Sequence, residues 1–336
     1  MHSFAIGVDL GGTNLRIAAV EDTGRFLQSL STTTEVGQGR DFVIEEMSAA
    51  IRELARQFGP THKLIGIGVG IPGIIDLASG TLHSAANLPG WSNYPVRRDL
   101  ENRLGVPVLL ENDANCAALG EKWLGAGADV KDLCMITLGT GVGGGFVIDG
   151  KPWHGMIGMA GEVGHMTVFP EGRSCACGNS GCLEQYASAT AIRRMAIEAI
   201  EEGRAADLAR CMKSDPEFSS QSVFQCAVDG DPVAREIFAN AGRALGIALG
   251  NLINAFNFPL YVVGGGMSRA WEVFAPALFS ELRKRSIVFR AGESDSARQK
   301  GTMVAPAKLA GDAGLAGAAY LPMITRTSWS FCSLAV

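Results

Sequence analysis

Phe4-Ala-Ile-Gly-Val-Asp9-Leu-Gly11-Gly12-Thr13-Asn14-Leu-Arg-Ile-Ala-Ala-Val20 is the stretch whose reading decides the fold. Two runs of apolar β-formers flank a short Gly-Gly-Thr break, so the segment reads as strand, glycine turn, strand: a hairpin. Glycine places no Cβ in the way of a ligand, so successive N–H groups of this turn can approach a phosphate chain, and the Thr13 hydroxyl adds a donor. Asp9 at the strand end is a carboxylate able to hold Mg²⁺ through water. Taken singly, the same residues also fit an ordinary β-turn.

The plan recurs. Leu133-Cys-Met-Ile-Thr-Leu-Gly139-Thr140-Gly141-Val-Gly143-Gly144-Gly145-Phe-Val-Ile148 again sets a glycine turn between apolar runs, and Leu260-Tyr-Val-Val263 leads into Gly264-Gly265-Gly266. Recurrence of this kind suggests two lobes of similar plan. Gly139 to Gly144 formally satisfies the dinucleotide fingerprint, but that fingerprint must open a helix and Phe146-Val-Ile148 continues as strand. Gly145 to Lys151 matches the start of a P-loop, and Pro152 stands where a hydroxyl is required. Both motif matches are set aside.

Outward from these turns, Val43, Met47, Ile51, Leu54, Ala55 and Phe58 recur at helical spacing until Gly59-Pro60, which predicts an amphipathic helix over 42–58. Strands are expected over 64–71 and 106–110, the second running straight into Glu111-Asn112-Asp113. Helices are expected over 187–202 and 232–256, and a Gly- and Ala-rich helix over 311–321 that can pack against another backbone. Strands alternating with helices give an α/β class, whose ligands sit outside the carboxyl ends of the strands.

Composition narrows the function. The chain has 336 residues, 47% hydrophobic and 19% charged, with 43 glycines, which suits two domains or one large one with a cleft. A net charge of -5 argues against nucleic acid, whose phosphates need clustered Lys and Arg; the longest basic run is Arg283-Lys284-Arg285. No leader-like segment precedes Asp9 and no run of 18 apolar residues occurs, so a cytoplasmic protein free of membrane partners is expected. Of eight cysteines, Cys175, Cys177 and Cys182 crowd together, which favours metal over disulfides. Cys116, Cys134, Cys211, Cys226 and Cys332 are scattered and read as small buried apolar residues.

His165 with Cys175, Cys177 and Cys182 supplies one imidazole and three thiolates, the donor set of a closed structural Zn²⁺ site. Such a site would order the loop without activating water. Glu162 and Glu184 flank it, and carboxylates accept hydrogen bonds from sugar hydroxyls. His165 could serve twice, one ring nitrogen on the metal and the other N–H on a sugar oxygen. Asn112-Asp113 at the end of an apolar strand places a carboxylate where a general base for phosphoryl transfer would stand; a helix cap before Ala114 is the alternative.

Together these segments resemble the ROK family, which comprises repressors and sugar kinases within the actin-like ATPase (sugar kinase/Hsp70) fold, and they are most similar to its bacterial glucokinases. The motifs are Asp9-x-Gly-Gly-Thr-Asn14, Gly70-Ile-Pro-Gly73, Glu111-Asn-Asp-Ala-Asn115, Gly139 to Gly145, Gly161-Glu-Val-Gly-His165, the cysteine cluster ending Cys182-Leu-Glu184, and Gly264 to Gly266. The resemblance implies transfer of the ATP γ-phosphoryl group to a hexose, glucose first and otherwise N-acetylglucosamine, N-acetylmannosamine, fructose or allose. A sugar sensor without turnover is the reading from another class, and an oxidoreductase would need the helix after Gly144 that the pattern denies.

The resemblance further implies Asp113 as base, sugar contacts from Asn112, Glu162, His165 and Glu184, the Gly73 backbone and Asn87, and zinc on His165, Cys175, Cys177 and Cys182. Phosphates would lie between Gly11-Gly12-Thr13, next to Asn14, and Thr140-Gly141, with Gly264, Gly265 and Gly266 near the nucleotide and Mg²⁺ accompanying ATP. It implies a two-lobed molecule with an interlobe cleft: a smaller lobe of 1–113 to which helix 311–321 returns, and a larger lobe of 114–310 carrying the zinc loop. A homodimer or homotetramer is expected. Family repressors carry a DNA-binding segment ahead of this body, for which Asp9 leaves no room. The tail 322–336 has no counterpart, the stretch 203–222 matches weakly, and neither is expected to touch the site.

Overall fold

A computed structural model describes residues 2–294 and 301–329. In chain order its main elements are β1 (Ser3–Leu10), β2 (Asn14–Glu21), β3 (Phe26–Thr33), α1 (Arg40–Phe58), β4 (Lys63–Ile71), β5 (Ile74–Asp76), β6 (Thr81–Ser84), α2 (Val96–Leu104), β7 (Val108–Asn112) and α3 (Asp113–Leu124). There follow β8 (Leu133–Leu138), β9 (Val142–Ile148), β10 (Lys151–Pro152), α4 (Glu184–Ala187), α5 (Ala189–Glu201), α6 (Ala206–Ser214), α7 (Ser220–Val228) and α8 (Pro232–Phe256). The last are β11 (Leu260–Gly264), α9 (Trp271–Arg285), α10 (Ile287–Ser294), β12 (Met303–Pro306) and α11 (Ala313–Trp329). These elements form two compact units, one of residues 2–131, 145–161 and 311–329 and the other of 132–144, 162–294 and 301–310.

In the first unit the sheet order is β3-β2-β1-β4-β7. β1 and β2 form the expected hairpin, in register from Phe4↔Glu21 to Leu10↔Leu15, while β4 lies parallel to both β1 and β7. Alternation along β1 turns Phe4, Ile6, Val8 and Leu10 to one face, where they join Val43, Ile44, Met47, Ile51 and Leu54 of α1 in one buried cluster. Each such side chain contributes about 1.5–3 kcal/mol on burial.

The opposite face carries Gly7, Ala18 and Val20 and is covered by α11 and α3. Glycine is required there. A Cβ on Gly68 would lie 1.9 Å from the Ala318 carbonyl oxygen, and one on Gly317 would lie 1.7 Å from that of Cys116. Trp123 and Tyr320 stack at 4.7 Å to close the edge of this contact. The small-residue pattern over 311–321 therefore does what it suggested, but the helix runs on through Pro322 to Trp329. Residues 322–329 of the expected tail are thus helical, and Ser330 onward lie outside the described residues.

The second unit contains β8, β11 and β12, with β11 parallel to both β8 and β12. Val142 onward continues as strand, so no helix opens after the glycine turn. α8 begins at Pro232, capped by the Asp231 side chain accepting from the Ala234 N–H, and ends at the left-handed Asn257. Both bounds match the sequence pattern, because cap, Pro at N1 and αL residue are all local signals. Gly203 to Ser222, where the family resemblance is weak, contributes α6 and the start of α7. Cys116 and Cys134 are buried as expected, Cys211 and Cys226 are only half-buried, and Cys332 lies outside the described residues. Among the described residues no helix is long and apolar enough to cross a membrane.

Candidate active site

Parallel pairing of β1, β4 and β7 brings their carboxyl ends to one edge of the first unit's sheet. Asp9 pairs with Gly70, and Gly70 with Glu111, so the two carboxylates share one row. β7 ends at Asn112, whose extended backbone turns into α3 while its side-chain oxygen accepts from the N–H groups of Ala114 and Asn115, at 2.9 and 3.4 Å. Asn112 is therefore the helix cap, and the cap fixes Asp113 as the first residue of α3. The cap and the base expected from sequence are adjacent residues of one device. Asp113 Oδ1 accepts from the Ala114 N–H at 2.9 Å.

Asn112 also donates from Nδ2 to the Gly73 carbonyl at 3.4 Å. Gly73 has a φ of 108°, and a Cβ there would lie 2.1 Å from the Ser84 carbonyl oxygen, so only glycine fits. The Asp9 carboxyl titrates near pH 6, pushed up from 3.8 chiefly by burial and next by the Asp113 charge, with Arg16 opposing. Two like charges at a buried strand end form a site that a divalent cation would relieve.

The Gly11 to Asn14 turn is closed by the Gly11 N–H donating to the Asn14 carbonyl, and Thr34 braces it from β3's end, bonding Gly11 and Thr13. A Cβ on Gly12 would lie 2.7 Å from Asn87, which places Asn87 against this turn. Asp9, Gly11, Gly12, Gly73, Asn87, Asn112 and Asp113 thus belong to one end of the first unit. Thr13 and Asn14 are exposed on the turn.

In the second unit, Glu184 opens α4 and its Oε2 accepts from the Val142 N–H at 2.9 Å, lying where a Cβ on Gly141 would otherwise sit. Glu184 therefore braces the glycine turn. Gly139 and Thr140, from that turn, line a cavity of about 350 Å³ together with Gly266, Ser220, Gln221, Phe224 and Arg269. Gly265, at φ 82°, packs on the Leu138 backbone, and Gly264 packs on Met135 and Ala307; these two build the turn that presents Gly266. Ser220 and Gln221 come from α7, so the stretch 203–222 does reach this cavity, contrary to the sequence expectation. Its contribution is carried by two polar side chains at a helix start, which have no motif to announce them.

His165, Cys175, Cys177 and Cys182 converge, with one ligand atom from each all within 4.8 Å of one another. Cys175 Sγ is 3.7 Å from His165 Nδ1, and Cys177 Sγ is 3.7 Å from Cys182 Sγ. Tetrahedral bonds of about 2.3 Å to sulfur and about 2.1 Å to nitrogen require ligand separations of about 3.6–3.8 Å. The four residues therefore fit a thiolate-imidazole metal site. With Nδ1 facing the cluster, His165 Nε2 lies 3.9 Å from Glu162.

Two functional candidates lay outside the sequence reading of the site. Glu111, quoted there only as part of a motif, is 3% exposed, and His154 Nε2 lies 2.6 Å from its Oε2. A carboxylate immediately after an apolar strand was the available signal for Glu111; a lone His offers none.

A sequence profile described as the ROK family matches residues 5–323. The chain belongs to the ROK family. Among ROK proteins it is similar to a glucokinase of Halalkalibacterium halodurans, 40% identical over 269 residues that span 80% of this chain and 81% of the relative. A glucokinase of Thermotoga maritima is 36% identical over 94% of this chain and 96% of its own. The fold is similar to that of a ROK family glucokinase from Streptomyces griseus, solved in complex with glucose and AMPPNP, with a TM-score of 0.78 and 33% identity over 95% of this chain and 99% of that one. The ROK match ends inside α11, so this helix belongs to the ROK body.

Proposed function

We propose that the chain is an ATP-dependent hexose kinase, a hexokinase-type phosphotransferase converting glucose to glucose 6-phosphate with Asp113 as general base. The observation that carries the reading is the Asn112 cap, which fixes Asp113 at the start of α3, on the edge of the sheet where Asp9 and the Gly11 to Asn14 turn also lie. Kinship with ROK glucokinases along most of the chain supports the same reaction.

Phosphoryl transfer is mainly positioning and neutralisation of charge, plus acceptance of one proton. Asp113 accepts the proton of the attacking sugar hydroxyl. Asn112, the Gly73 backbone, Asn87, Glu162, His165 Nε2 and Glu184 hold the other hydroxyls. N–H groups of the Gly11-Gly12-Thr13 turn and of Thr140-Gly141 receive phosphate oxygens, and the Gly264 to Gly266 turn contacts the nucleotide. Asp9 would hold Mg²⁺ through water, and that ion would supply charge neutralisation on the phosphates. Zinc is assigned to His165, Cys175, Cys177 and Cys182, supported by their spacing, and the closed ligand set gives it the role of fixing Glu162 and Glu184. The reaction belongs in the cytoplasm, where thiols stay reduced, and a homodimer or homotetramer is the assembly proposed.

The test is ADP production from Mg-ATP with glucose, N-acetylglucosamine, N-acetylmannosamine, fructose and allose, for the parent and Asp113→Asn. Turnover on glucose, lowered about 10²–10⁴-fold in the variant, is expected. Preference for another sugar would change the substrate and keep the mechanism; no turnover on any would make the chain a sensor.

A further inference from the structure

We propose that His154 is a positioning residue for Asp113, acting through the buried carboxylate of Glu111; the inference rests on the hexose-kinase reading above. An ionised carboxylate only accepts hydrogen bonds, and one buried to 3% exposure must be given donors. Glu111 has three. Its Oε1 accepts from the Asn112 backbone N–H and from Asn115 Nδ2, each at 3.0 Å, and its Oε2 faces His154 Nε2 at 2.6 Å. Asn112 and Asn115 stand on either side of Asp113 in the chain, so Glu111 grips both flanks of the base.

His154 sits on a fixed mount. The preceding Trp153 donates its N–H to the Phe146 carbonyl at 2.9 Å and packs edge-on against the Phe146 ring, while the Ala160 N–H donates to the His154 carbonyl at 3.1 Å. The imidazole is thus held from β9 on one side and from its own loop on the other, and it reaches across to the β7–α3 junction. The Glu111 carboxylate raises the affinity of His154 for its proton, which suits a charge-assisted donor.

The network is not arranged for economy of hydrogen bonds. Asn115 turns its amide nitrogen to Glu111, and its buried Oδ1 has no hydrogen-bond partner among the described residues. An orphaned polar atom beside a reacting group marks a place where geometry takes precedence over local satisfaction. A displacement of the base by about 1 Å is enough to lower turnover about a hundredfold, so a clamp on its two flanks is a device for rate.

The experiment measures turnover, melting temperature and bound metal for the full chain as parent, His154→Gln and His154→Leu, using Mg-ATP and whichever hexose of the panel the parent prefers. Gln keeps an amide N–H at nearly the position of Nε2, whereas Leu fills the space without a donor. His154→Leu is expected to lower kcat about ten- to a hundredfold with KM for ATP within about twofold, and His154→Gln to recover kcat to within about threefold of the parent. Parental kcat in His154→Leu, or equal losses in both variants, would overturn the inference while the kinase reading stands. An inactive parent overturns the kinase reading and this inference with it. Should His154→Leu fail to fold, His154→Asn, whose shorter amide falls short of Glu111, takes its place with the same two outcomes.

Discussion

Asp9 and Asp113 illustrate a conflict that a binding site stores at the level of single residues. Asp9 is ionised at neutral pH against both burial and a neighbouring negative charge, which is why its carboxyl titrates as high as about 6. Asp9→Asn removes one of the two charges without changing shape. The melting temperature of the metal-free protein is expected to rise by about 2–4 °C at pH 7.5 while turnover is lost. A variant less stable than the parent under those conditions would mean that Arg16 outweighs the burial and repulsion. The place of Asp113 at a strand end was legible in the sequence because an apolar strand ran straight into it. His154 was not, since its meaning comes from a carboxylate 43 residues away that only the folded sheet brings near.

Individual elements carry three further tests. The loop from His165 to Cys182 is braced by backbone hydrogen bonds such as those from the Val168 and Phe169 N–H groups to the Gly181 carbonyl, and a metal held by the four converging ligands would add to that brace. If the proposed zinc is bound there, a chelator is expected to lower the melting temperature and to raise KM for the hexose more than KM for ATP; equal changes in both would detach the metal from sugar binding, and no change would overturn the zinc assignment. At the end of β2, the buried Glu21 accepts from Arg25, Thr23 and His62, and Arg25 foremost holds its carboxyl down to about 2. A folded pKa below the ordinary 4.5 means stability that is full above that value and lost as pH falls toward 2. Glu21→Gln should therefore melt below the parent at pH 7, and the gap should close on acidification; a constant gap would assign the effect to packing. In α11, Gly317→Ala adds a methyl group that ordinarily favours a helix by up to about 1 kcal/mol. Here the new Cβ meets the Cys116 carbonyl at 1.7 Å, and an overpacking cost of about 1–3 kcal/mol or more decides the sign. Thermal melting of that variant should show a loss.

Over the whole molecule, what the sequence made legible follows from how local each signal is. The β1–β2 hairpin, the Pro232–Phe256 helix and the convergence of His165 with the three cysteines were readable because turn, cap and cluster residues lie close together in the chain. The length of α11 was not, because Pro322 reads as a stop, whereas in the fold it packs on Gly66 and Gly68 from inside a helix that runs to Trp329. Nor was α7's place beside Thr140 and Gly266, since Ser220 and Gln221 belong to a helix whose polar start looks like any solvated surface. The α/β class was readable from strands alternating with helices, and the kinship with ROK proteins bears out the actin-like fold that the resemblance implied.

The cover that α11 provides has a consequence for biosynthesis. The sheet face built around Gly7 and Gly68 is translated before residues 125–312, yet α11, which packs directly on those glycines, is made only after them. During that interval an apolar surface whose glycines leave its backbone accessible stands open in the crowded cell. The unit is thus completed only once α11 has been made, and until then its open face is exposed to non-native association.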